Sequence, residues 1–144
     1  MDKNETVKLL RECDSGVKMG IESINDVLDR VESDKMRSLL TDCRNQHEQL
    51  GSEIREALSS CNDGGKDPNP IAKGMSKMKT GIELGVDCCD ERIADIMTQG
   101  ADMGVKSLSR YLNQYPNASS ESRGFATRLV DLESGLSYGM RQFL

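Results

Sequence analysis

Apolar residues recur along this chain at alternating three- and four-residue steps in four long stretches. That spacing lines one side of an α-helix. In the first stretch Val7, Leu10, Val17, Ile21, Ile24, Leu28 and Val31 share a stripe, predicting a helix from about Glu5 to Val31. Asp14 takes the one remaining slot, and Cys13, Gly20 and Val27 widen one side. Ser33 and Asp34 supply side-chain acceptors for the next helix start. The second helix, about Lys35 to Cys61, carries Leu40, Cys43, His47, Leu50, Ile54, Ala57 and Cys61 without a slip, and Asn62-Asp63-Gly64-Gly65 ends it. The short link makes the pair, residues 5–61, an antiparallel hairpin.

Residues 62–85 form a connection far longer than a turn between neighbours needs. Asn69-Pro70 predicts a short helix from Pro70 to about Thr80, with Ile71, Met75 and Met78 on one face and Gly81 and Gly85 ending it. Such a helix with its extended flanks can run back along a bundle of about 40 Å. The crossing then returns the chain to its starting end and leaves helices two and three parallel. Helix three is expected from about Val86 to Asn113, with Cys89, Ile93, Ile96, Met97, Gly100, Gly104, Leu108 and Tyr111 inward, ended by Tyr115-Pro116. Helix four starts at Ser119 or Ser120 and runs to the C-terminus on a seam of Phe125, Leu129, Leu132, Leu136, Gly139 and Phe143. Residues 86–144 thus form a second hairpin. All the aromatic residues lie beyond residue 110 and are expected to join the last turn to the far end of that hairpin. The fold expected is all-α, a single four-helix-bundle domain over residues 1–144.

Composition narrows the chemistry. With 144 residues, 36% hydrophobic and 3% aromatic, the core must be built mainly from Leu, Ile, Val and Met. A net charge of −5 and no Lys/Arg cluster argue against a nucleic-acid partner. No apolar run reaches the roughly 20 residues that span a bilayer. The first residues lack the apolar stretch of a secretory signal, so no membrane association and a cytoplasmic location are expected. Five cysteines (Cys13, Cys43, Cys61, Cys88 and Cys89) in a helical chain without a secretion signal do not suggest a disulfide framework. Cys88 and Cys89 point about 100° apart on a helix, and packing is their expected role.

The best-known chemistry of four-helix bundles is a carboxylate-bridged metal pair, which takes Glu-x-x-His from each of two helices. This chain holds one histidine, His47, preceded three residues earlier by Arg44. His47 and Cys43 sit on one helical face, and both side chains suit zinc or haem iron. Asp14 and Asp102 are the further candidate ligands. Gly20, Gly100 and Gly104 are expected near the level of His47, a region where missing side chains allow close helix packing or a pocket. Glu53 with Glu56, and Asp87 with Asp90, are carboxylate pairs of the kind that hold magnesium in all-helical nucleotide hydrolases, although Ile54 holds the seam between the first two.

Three stretches resemble a group of small bacterial ferritin-like proteins of unknown function. They are Glu5-Thr6-Val7-Lys8-Leu9-Leu10, the Ile71–Ile82 crossing with Met75-Ser76-Lys77-Met78-Lys79, and Gly104-Val105-Lys106-Ser107-Leu108-Ser109-Arg110-Tyr111. The resemblance implies a ferritin-like fold, two antiparallel hairpins joined by one long crossover. Where metal-binding members would carry Glu-x-x-His, this chain has Arg44-Asn45-Gln46-His47 and Asp131-Leu132-Glu133-Ser134. The leading expectation is a non-catalytic bundle with no cofactor, self-associating as a dimer and binding an unknown protein or small ligand. The alternatives are a metal- or haem-dependent site around His47 and Cys43, and a magnesium-dependent nucleotide hydrolase.

Overall fold

The computed structural model describes residues 1–61 and 89–144. They form four long helices, α1 (Lys3–Leu28), α2 (Asp34–Ser60), α3 (Asp90–Gln114) and α4 (Ser120–Met140), and a closing 3-10 turn, Arg141–Phe143. No strand occurs among the described residues. The architecture is an all-α four-helix bundle. The crossing over 62–85, its Pro70–Thr80 helix, Cys88 and Asp87 lie outside the described residues.

Local chemistry sets the helix starts. The Asp2 carboxylate accepts from Glu5 N–H at 3.1 Å, so α1 begins earlier than its apolar stripe suggested. Ser33 caps α2 through Met36 N–H and Ser119 caps α4 through Ser122 N–H, at 3.2 and 3.1 Å. Three boundaries differ from expectation. The first helix ends at Leu28, and Val31 is buried from the turn. Cys89 is an extended N-cap and half-buried, not a seam residue. The fourth helix stops at Met140, short of the C-terminus.

Contacts between the ends fix the helix directions. At one end the Asp90 carboxylate accepts from the backbone N–H groups of Glu32 and Ser33, at 2.9 and 2.8 Å, fastening the start of α3 to the α1–α2 turn. At the other, Asp2 N–H donates to the Asn117 carbonyl at 2.7 Å, and Ser119 N–H donates to Thr6 Oγ1 at 2.8 Å. The start of α1 is thereby fastened to the α3–α4 turn. It follows that α1 and α4 run one way, and α2 and α3 the other. Each hairpin is antiparallel, and α2 and α3 are parallel.

Two apolar clusters fill the interior. Toward the Asp90 end lie Ile24, Val27, Met36, Leu40, Ile93, Ala94, Met97, Ala101, Leu136 and Met140, with Cys43. Toward the Thr6 end lie Leu9, Leu10, Cys13, Val17, Leu50, Ile54, Leu58, Leu108, Phe125, Ala126 and Leu129. Tyr111 and Tyr115 stack at this second end with ring centroids 6.5 Å apart, and Arg123 donates to the Leu112 and Tyr115 carbonyls, closing the end of α3. Of the aromatics expected at the last turn and at the far end of this hairpin, Phe143 packs on the Asp90-end cluster, whereas Tyr138 is exposed on α4.

Candidate functional site

A polar layer separates the two clusters, with one residue from each helix. Gly20 lies between Val17 and Ile24 on α1, and His47 between Cys43 and Leu50 on α2. Gly104 lies between Ala101 and Leu108 on α3, and Glu133 between Leu129 and Leu136 on α4. His47 Nε2 is 2.8 Å from Glu133 Oε1, with His47 fully buried and the Glu133 side chain 10% exposed. His47 Nδ1 is 2.8 Å from the Cys43 carbonyl oxygen and 3.5 Å from Cys43 Sγ.

Gly20 makes room for the His47 ring, and Gly104 lies against the Glu133 carboxyl group. A Cβ added at Gly20 would meet the His47 ring at 2.8 Å, and one at Gly104 would meet the Glu133 carboxyl group at 3.4 Å. The Gly20 position is therefore closed to a side chain by the His47 ring, whereas a Cβ at Gly104 would make ordinary contact with Glu133. Gly100, the third glycine expected here, is exposed, with nothing within 4 Å of where its Cβ would be among the described residues.

The proton arrangement follows from the acceptors. A backbone carbonyl can only accept, so Nδ1 carries a proton and donates to Cys43 O. A carboxylate accepts at Nε2 as well, which favours the doubly protonated ring. Burial works against that charge, but the side-chain contact with Cys43, the hydrogen bond to Glu133 and the Glu133 charge outweigh it. They push the His47 pKa up from 6.5 to about 10. The raised pKa and the two hydrogen bonds favour the protonated His47 ring at neutral pH, facing Glu133.

The other candidate residues lie elsewhere. Asp14 is fully buried and paired with Lys18 Nζ at 2.8 Å, on the α1 segment that lines the Thr6-end cluster. Asp102 is exposed on α3. Among the described residues no three His, Cys, Asp or Glu side chains come together in a metal-holding group. Glu53 receives both guanidinium nitrogens of Arg128, at 3.1 and 2.7 Å, which holds its carboxyl below the usual range. Glu56 is exposed, and Asp90 is engaged with the α1–α2 turn. Cys13, Cys43, Cys61 and Cys89 are free thiols.

Glu133 is the residue that sequence reasoning missed. The expected seam used Leu132, an ordinary apolar choice. Yet Glu133 lies four after Leu129, three before Leu136 and seven before Met140, all of which are buried. A carboxylate in that register, in a chain with one seam histidine, was the available signal. Comparison with known proteins adds nothing: no family model, curated protein or solved structure matches the chain. No helix among the described residues is long and apolar enough to cross a membrane.

Proposed function

We propose that this chain is a ferritin-like bundle that has no di-metal centre and acts as a self-associating protein-interaction module. The make-up of the middle layer carries the part of this reading that concerns the di-metal centre. A di-metal site of the ferritin-like kind draws a Glu from each of two helices and Glu-x-x-His from each of the other two. Here α1 and α3 contribute Gly20 and Gly104. The two ligand-type side chains, His47 and Glu133, are bound to each other, and the His47 ring fills the gap at Gly20. The parallel course of α2 and α3 supports the ferritin-like reading of the connection between them.

Native mass spectrometry after incubation with ferrous, manganous or zinc ions tests the reading. The expected spectrum is the mass of the bare chain and its dimer. A stoichiometric metal that survives buffer exchange, and that is lost in His47→Ala, overturns it. The second reading, a metal or haem site on Cys43 and His47, draws its support from the 3.5 Å approach of Cys43 Sγ to His47 Nδ1. That reading predicts retained metal or colour in the same experiment.

A further inference from the structure

The seam expected for α4 and the seam it uses share Phe125, Leu129 and Leu136 but part between Leu129 and Leu136 and again after Leu136. The apolar choice buries Leu132 and Gly139, whereas the structure buries Glu133 and Met140 and leaves Leu132 half-buried. The two arrangements differ by a rotation of α4 smaller than one residue step, which is roughly 100° on a helix. Hydrophobic burial gains Met140 from the observed rotation, but it is non-directional and gains nothing from a carboxylate driven inward, which opposes the rotation unless it finds a partner. A hydrogen bond is directional. Glu133 Oε1 reaches His47 Nε2 at 2.8 Å, and His47 is itself held by its Nδ1–H on the Cys43 carbonyl at 2.8 Å.

We infer that the His47–Glu133 pair is a rotational lock that selects one facing of α4 against α2. Gly20 forms the other half of the device, because it clears the space on α1 for the ring, while the Glu133 carboxyl group lies 3.4 Å from where a Cβ of Gly104 would be. A buried ion pair is a poor source of stability but can impose uniqueness, as a single polar residue does in some coiled coils. The lock also decides what α4 presents outward. In the locked rotation Tyr138 is exposed with Arg141 over its ring at 5.8 Å, and Arg128 reaches Glu53. Any partner of that face meets a single surface.

Two variants test this. In His47→Leu/Glu133→Leu the layer becomes apolar. The expected protein is folded and no less heat-stable than wild type, with broadened or doubled amide resonances across residues 120–140. In Leu132→Glu/Glu133→Leu the carboxylate moves one position around α4. If the carboxylate sets the rotation, α4 turns to follow it. His47 then keeps a carboxylate partner, visible in its imidazole nitrogen shifts, and the leucine placed at position 133 loses its contacts with α2. A single sharp set of wild-type-like resonances in the first variant overturns the proposal. An unturned α4 with an unpartnered His47 in the second does the same. Loss of the fold in both also counts against it, since the seam would then admit one packing regardless of the carboxylate.

Discussion

At the scale of single residues, the absence of a side chain carries as much weight as its presence. Gly20 and Gly135 are both glycines inside helices, but their surroundings differ. A methyl group at Gly20 meets the His47 ring at 2.8 Å, whereas among the described residues one at Gly135 meets nothing within 4 Å. Gly20→Ala is expected to destabilise the fold by about 1–3 kcal/mol through overpacking. Gly135→Ala is expected to stabilise it by about 0.5–1 kcal/mol, since only the entropic cost of helical glycine is removed. Urea denaturation of the two variants side by side checks the sign of each. His47 gives a pH signature. Its folded pKa is raised to about 10 from 6.5, so its stabilising contribution is full below about 6.5 and is lost as pH rises through 10. Denaturation midpoints measured from pH 6 to 10.5 should fall along that range and flatten in His47→Gln. Cys13 is a third case. Burial first, then the charges of Glu12 and Asp14, push its thiol up to about 12. Iodoacetamide at pH 8 should label half-buried Cys61 and Cys89 in the native protein and leave Cys13 unmodified, as read by peptide mass mapping.

The helices themselves were legible in the sequence because each carries a long apolar stripe, and all but α3 also carry a capping side chain. Ser33 and Ser119 marked two helix starts directly. The errors cluster where polar chemistry overrides the stripe. Asp2 extends α1 backward, the Asp90 carboxylate holds the start of α3 and leaves Cys89 extended before it, and Glu133 displaces Leu132 from the α4 seam. The level of His47 beside Gly20 could be read from hairpin arithmetic. Its partner could not, because helix rotation depends on contacts between elements remote in sequence. The same applies to Asp90, read as half of a carboxylate pair, which joins α3 to the α1–α2 turn through two backbone N–H groups. Asp90→Ala should lower stability by about 1–2 kcal/mol, a cost typical of losing a charged cap. The effect should appear as faster hydrogen exchange at Glu32 and Ser33 before it appears elsewhere.

For the molecule as a whole, the notable features are the clasps at opposite ends of the bundle. The Asp90 contact joins the first turn to the second hairpin, and the Thr6 and Asp2 contacts join the first helix to residues 117–119. The two hairpins are thus fastened to each other at both ends as well as through the middle layer. This arrangement has a consequence during synthesis. The first hairpin leaves the ribosome with part of its apolar surface uncovered, and with His47 Nε2 and the Asp2 N–H still lacking Glu133 and Asn117. At a synthesis rate of roughly 5–20 residues per second, several seconds pass before Asn117 and Ser119 follow. For that interval the nascent chain presents one long greasy face to the cell. A chaperone that holds newly made helices should engage residues 1–61 and let go once the α3–α4 turn has emerged.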